Sequence, residues 1–256
     1  EATGLIAADL NAKDAYEYNP WSSVLGYQSG MISTFGGYDD EYVGATELIF
    51  DNGDIVLGGE IDQTYGRRTS GSKYDYVFNL GGNISDFLYL GANIGISSLD
   101  YSYDEYFKEV AIDPADFEIT FDDGKRVYFN QMKYRYYYDA EGSGVYAKFG
   151  AILTPGFGFR IGAAVQTPTV NTITERWQYS GSTEFTSSSY NGYAASPEGE
   201  YTYTVVSPFR ANFGVAYTLL NFAVLSADYE FTDYGQMQFR TTGSDRDWFE
   251  EVNNDI

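Results

Sequence analysis

Residues 145–167 read VYAKFGAILTPGFGFRIGAAVQT, and this stretch constrains the fold more than any other. Val145, Ala147, Phe149, Ala151 and Leu153 occupy alternate positions, and so do Phe157, Phe159, Ile161, Ala163 and Val165. A Thr154-Pro155-Gly156 turn stands between the two runs. Side chains alternate across a strand, so the spacing predicts a hairpin with one greasy face. Its other face carries Gly158, Arg160, Gly162, Ala164 and Gln166. A soluble sandwich turns such an apolar face into a core, and a transmembrane barrel turns it to lipid.

The pattern recurs along the chain. Tyr74, Tyr76, Phe78 and Leu80 alternate, and after a Gly82–Asp86 turn so do Leu88, Leu90, Ala92, Ile94 and Ile96. Tyr89, Gly91, Asn93, Gly95 and Ser97 lie opposite. Phe209, Ala211, Phe213, Val215 and Tyr217 lead through Leu219-Leu220-Asn221 into a strand over Phe222–Phe231. There Leu225, Ala227, Tyr229 and Phe231 share one face, and Ser226, Asp228 and Glu230 the other. The polar stretches 100–144 and 169–204 read as long loops. Segments near Trp21–Thr34 and Asp54–Tyr65 read as further strands, giving about eight in all. Short and long connections therefore alternate, as in outer-membrane barrels, whereas sandwiches scatter their loop lengths.

Composition removes whole classes of function. The chain has 37 acidic and 15 basic residues, a net charge of −22, so nucleic acid is excluded as a partner for want of basic surface. With no Cys and no His there are no disulfides, thiolates or imidazole bases, and the usual triad hydrolases go with them. The expectation is a protein that is not an enzyme and carries no cofactor. Mean hydropathy is −0.34, and the longest apolar stretch, Phe87–Leu99, is too short for a spanning helix. A barrel crosses the bilayer with strands of only ~9–11 residues, so this hydropathy is compatible with one.

The blocks EYNPWSSVLGYQSGMIS, YDYVFNLGGNISDFLYLGANIGISSLDYSYDEYFKE, GSGVYAKFGAILTPGFGFRIGAAVQTPT and SPFRANFGVAYTL…FAVLSADYEFTDYGQMQ resemble FadL/TodX-type transporters, closest to the branch found in Bacteroidetes. The resemblance covers most of the chain in matching order. It implies a fourteen-stranded antiparallel transmembrane β-barrel, plugged by an N-terminal hatch, that takes up long-chain fatty acids or aromatic hydrocarbons. Asn19-Pro20-Trp21 does not match the hatch block of such proteins, and EEVNNDI is not their closing aromatic strand. Residues 1–256 are accordingly expected to be a single, partial barrel domain.

In a barrel the small or polar faces line the lumen. That makes Tyr89, Asn93, Lys148, Arg160, Gln166, Arg210, Asn212, Asp228 and Glu230 the candidate ligand-binding residues. Arg160, Arg210 or Lys148 can receive a carboxylate head group. The plainer reading is that these cations form structural ion pairs with Asp228 and Glu230, since an unpaired inward charge is costly. The tyrosine-dense stretch from Tyr101 to Tyr138 is either a capture platform or an interfacial girdle on a self-packed loop. Lys133 and Arg135 within it are placed for cation–π contacts. Asp39-Asp40-Glu41, Asp51-Asn52-Gly53-Asp54 and Asp122-Asp123-Gly124 lack the ligand spacing of a calcium loop and read as turns, so no metal site is assigned.

The expected function is a channel for hydrophobic small molecules in a bacterial outer membrane, with that ligand and the surrounding lipid as partners. One alternative is a related barrel that serves as a scaffold for surface-protein export or attachment, binding a surface-protein partner through its loops. The other is a soluble acidic β-sandwich that binds carbohydrate.

Overall fold

A computed structural model of the chain describes residues 3, 5–7, 20–34, 41–50, 53–220, 222–241 and 246–254. The strands are β1 (Ile32–Thr34), β2 (Tyr42–Gly44), β3 (Glu47–Ile49), β4 (Ile55–Leu57), β5 (Ile61–Ile84), β6 (Leu88–Ala111), β7 (Glu118–Thr120) and β8 (Arg126–Gly156). They continue with β9 (Phe159–Gln166), β10 (Val170–Phe185), β11 (Gly192–Ala195), β12 (Gly199–Val206), β13 (Arg210–Leu219), β14 (Ala223–Thr232) and β15 (Gln238–Arg240). A π-helical turn at Pro20–Val24 runs into α1 (Leu25–Gln28), and α2 spans Arg246–Asn254. β1 pairs with β2 and β3 with β4, while the other eleven strands share one sheet.

Three pairs of consecutive strands in that sheet are single runs with an interruption. β9 continues into β10 across Thr167-Pro168-Thr169, β12 into β13 across Ser207-Pro208-Phe209, and β14 into β15 across Asp233–Met237. The sheet is thus a meander of long neighbours in chain order: β5, β6, β8, β9/β10, β12/β13, β14/β15. Among the described residues β5 and β14/β15 do not pair with each other.

Proline has no N–H for the ladder, and the chain answers this the same way three times. Thr167 donates its N–H to Ala147 O (2.9 Å) and accepts the Ala147 N–H on Oγ1 (3.0 Å). Ser207 does so with Thr169 (2.9 and 2.8 Å), and Ser196, before Pro197, with Tyr179 (2.8 and 3.0 Å). Each hydroxyl also donates to the carbonyl of its own proline, at 3.2, 3.4 and 2.9 Å respectively. A hydroxyl thus substitutes for the strand that proline interrupts.

The chain divides into two units. Glu1–Ser70, Ser102–Asp139 and Arg176–Gly199 form the first. Its core is Met31, Phe117, Phe129, Met132 and Phe185, with the Phe121 ring edge-on to Phe185 at 5.6 Å. A Cβ on Gly192 would lie 2.1 Å from Ser29 O, so β11 approaches α1 this closely only with glycine there. A line of rings also crosses the strands: Tyr103, Tyr136, Tyr179 and Trp21 have centroids 5.9, 4.6 and 5.6 Å apart in turn. The Arg67 guanidinium lies 4.6 Å from the centre of the Tyr103 ring.

Gly71–Tyr101, Ala140–Glu175 and Glu200–Ile256 form the second unit. Its strand registers realise the expected faces. Phe149, Val165 and Ala211 stand on one rung, Ala151, Ala163, Phe213 and Tyr229 on another, and Leu153, Ile161, Val215 and Ala227 on a third. At one end of the unit Phe249 of α2 is buried against Tyr201, Tyr203 and Phe239. Asn253 of α2 accepts the Phe239 N–H (2.7 Å) and donates to Phe239 O (2.8 Å), occupying the free edge of β15.

Several expectations need correction. The stretches 100–144 and 169–204 are mostly strand: β6 runs to Ala111, β8 starts at Arg126, and β10 and β12 fill most of the second. Polar side chains on both faces hid the strand period there. Trp21–Gln28 is helical, and only Ile32–Thr34 of that segment is strand. Thr154-Pro155 stays within β8, and the turn is made by Gly156, Phe157 and Gly158 with φ of 98°, 53° and 83°. In the earlier hairpin β5 runs to Ile84, and Ser85 and Asp86 turn the chain, both at φ 53°. Asn83 Oδ1 accepts the Asp86 N–H there at 3.0 Å. Asp123 Oδ1 accepts the Lys125 N–H at 3.0 Å in the turn that also contains Gly124. Asp39, Asp40, Asp51, Asn52 and Asn221 lie outside the described residues.

Candidate functional site

The side of the second unit's sheet opposite Phe149 and Phe213 carries the candidate site. Lys148, Gln166, Arg210 and Thr232 occupy one rung. Gly150, Ala164, Asn212 and Glu230 occupy the next, then Ile152, Gly162, Gly214 and Asp228. Small residues at alternate positions leave a hollow that long side chains border. The result is a shallow groove of about 580 Å³ floored by Gly91, Gly150, Gly162 and Gly214.

The groove brings together Tyr89, Asn93, Lys148, Asn212 and Asp228 of the nine candidates. Gln166 lies opposite both Lys148 and Arg210. Glu230 lies opposite Asn212 and accepts its amide N–H at 3.0 Å. Arg160 stands further along the same face, opposite Ala216. All nine candidates therefore share one side of the sheet.

Their bonding differs from the plainer expectation. Among the described residues, Lys148, Arg160 and Arg210 form no ion pair with Asp228 or Glu230. Lys148 Nζ instead lies 5.2 Å from the centre of the Tyr146 ring. Asp228 leans over Gly214, where an added Cβ would sit 2.4 Å from its Oδ1. The rung Lys148–Gln166–Arg210 thus sets the backbones of two cationic residues about 10 Å apart, at twice the strand spacing, with an amide residue between them. An anion centred above Gln166 is within reach of all three side chains.

Two features escaped the sequence reading. Tyr146 is buried with its ring over Gly95, where an added Cβ would sit 2.2 Å from it, and so walls the site. The glycines stand on the small or polar face in the sequence, and their alternation with Lys148, Arg160 and Asn212 marks a groove floor that the sequence reading does not draw from it. On the opposite, apolar side, Gly82, Ala92, Ala151 and Ala163 floor a second hollow bordered by Leu80, Leu90, Phe149 and Val165. It carries no charged group.

In the first unit the expected cation–π contacts are present: Lys133 Nζ lies 4.5 Å from the Tyr106 ring centre and Arg135 Cζ 5.8 Å from that of Tyr137. Tyr65 and Tyr103 both donate their hydroxyls to Glu105 Oε2. These bonds, Tyr103's foremost, hold the Glu105 carboxyl below its usual range and push the Tyr103 phenol up to about 12.

No family model matches the chain, and no curated protein matches it.

Proposed function

We propose that the second unit is wall from an outer-membrane β-barrel, and that the barrel passes hydrophobic small molecules such as long-chain fatty acids or aromatic hydrocarbons. The observation that carries this reading is a sheet with an apolar side and a grooved polar side, and large apolar residues left open. Leu90, Ile94, Phe149, Ile161, Phe213, Val215 and Leu225 are between 45% and 66% exposed. A side chain of this size left half exposed to water forgoes about 1 kcal/mol of burial. Seven of them together approach the whole net stability of an ordinary domain. Lipid on that side removes the penalty, and water and ligand on the other suit Lys148, Asn212 and Asp228.

The alternation of tight turns at Ser85-Asp86 and Gly156–Gly158 with longer connections at 112–125 and 186–198 supports the same reading. So does the sharing of one large sheet by all the long strands, since a sandwich needs two packed sheets. The resemblance to FadL/TodX-type transporters agrees with it. The ligand's apolar body would rest on the glycine floor, with a carboxylate, where present, over Gln166 between Lys148 and Arg210. No catalytic step is involved.

The test is extraction and transport. The protein should stay in the membrane pellet after carbonate and high-salt washes, and dissolve in detergent. Reconstituted vesicles should admit a labelled hydrophobic tracer faster than empty ones. Recovery in the aqueous phase without detergent would overturn the proposal.

A further inference from the structure

We infer that the strand face bearing Asp104 in the first unit binds an acidic saccharide, a sugar carrying phosphate, through a surplus of cations set among tyrosine rings. The inference uses the outer-membrane reading only to put this face within reach of surface glycans. The geometry is fixed by two contacts between β5 and β6. Ser70 Oγ lies 2.7 Å from Ser102 Oγ, and a Cβ on Gly66 would fall 2.3 Å from the Tyr106 ring. In an antiparallel pair those contacts put Arg68 directly opposite Asp104. From β8, Arg135 grips Asp104 with a fork of two bonds, Nε to Oδ1 at 2.7 Å and Nη2 to Oδ2 at 2.9 Å. Lys133 stacks over Tyr106, and Lys108 is the next side chain on that face of β6.

Asp104 spends both oxygens on Arg135. Among the described residues, Arg68, Lys108 and Lys133 have no ion-pair partner. Three other cations of the unit each pair with a carboxylate, Lys125 with Asp123, Arg126 with Glu118 and Arg176 with Asp139. The same register sets Asp62 opposite Val110, beside Lys108. Four cations therefore face two carboxylates, a local excess of positive charge in a chain of net charge −22. Arg135 holds the Asp104 carboxyl below its usual range, with Lys133 and Arg68 adding to the effect. Charge complementarity therefore selects an anion.

The rings narrow the class of anion. Tyr137 is 39% exposed on the same face, two residues from Arg135, and Tyr106 lies flat beneath Lys133. Ring faces beside cations suit the apolar C–H face of a sugar whose phosphate the cations hold. A bare phosphate would leave the rings unused, and a nucleic acid would be repelled by the rest of the chain.

The test is calorimetric titration of the detergent-solubilised chain with phosphorylated core oligosaccharide released from lipopolysaccharide. The comparisons are the same oligosaccharide after phosphatase, inorganic phosphate, and phosphatidylglycerol vesicles. Dephosphorylation and the Arg68→Ser/Lys133→Ser pair should each weaken binding by about tenfold or more. Asp104→Asn should strengthen it, a gain that misfolding cannot imitate. The inference is overturned if the dephosphorylated sugar binds equally, if inorganic phosphate or the lipid vesicles match the oligosaccharide, or if Asp104→Asn and the double variant both bind like the parent. Tracer uptake measured on the same proteins separates the two proposals, because the channel reading fails on uptake and this one on oligosaccharide binding.

Discussion

Replacing Lys148 and Arg210 together by Gln removes both cations from the rung while keeping length and polarity. A charge-assisted hydrogen bond contributes about 1.5–3 kcal/mol net, and the groove is open to solvent, which places each bond at the lower end. Loss of two such bonds is then about 3 kcal/mol, or roughly a hundredfold in affinity for a carboxylate ligand. Lys148 also gives up its contact with the Tyr146 ring, about 0.5–1 kcal/mol, and this loss falls equally on every ligand. A matched pair of ligands isolates the effect: a labelled long-chain fatty acid and the corresponding alkane, titrated into the reconstituted protein. The double variant should lose the fatty acid by about two orders of magnitude and hold the alkane within a few-fold. Equal losses for both would mean that the rung shapes the groove without receiving an anion. No loss for either would refute the rung as a site.

Ser207→Ala removes the acceptor of the Thr169 N–H, should lower stability by about 1 kcal/mol, and can be read from the denaturant midpoint. Gly95→Ala should cut the yield of folded protein because its Cβ meets the Tyr146 ring, whereas Gly91→Ala, with only a backbone oxygen 3.9 Å away, should be tolerated. Fluorescence, including that of Trp21 stacked on Tyr179, offers a pH test. Folding lowers the Asp104 and Glu105 carboxyls, through Arg135 and Tyr103 respectively, so the native state binds fewer protons than the unfolded one. Their stabilisation is present above about pH 4 and is lost as pH falls through the lowered native values. A profile unchanged between neutral pH and the lowest accessible values would contradict those bonds.

What could be read in the sequence depended on contrast between the two faces of a strand. From Leu88 to Ile96, Val145 to Leu153 and Phe159 to Val165, large apolar residues alternate with Gly, Ala and charges, and the faces read correctly there. The shared face of Lys148, Gln166 and Arg210 followed from the same contrast, whereas their common rung is set by the strand register. From Tyr128 to Asp139 both faces are polar or aromatic, so a strand and a loop look alike in composition. The Trp21–Gln28 helix was hidden for a different reason. Its turns are too few to show a 3.6-residue period, and packing of α1 against β11, where Gly192 meets Ser29, has no local signature. The ion pairs expected for Asp228 and Glu230 are replaced by other contacts, since Glu230 takes the amide N–H of Asn212 and Asp228 leans over Gly214: sharing a face does not put two charges together.

The Asn253 side chain fixes how any further strand can join this sheet. Its amide supplies one acceptor and one donor to Phe239, the same pair of bonds that a neighbouring strand would offer. β14, next along the same edge, has ten residues with no neighbour on its outer side among those described. An incoming strand therefore finds a template that ends where the Tyr234–Gln236 turn and α2 begin. It cannot slide past that point without displacing the helix, so a single carboxamide sets the register stop for whatever pairs there.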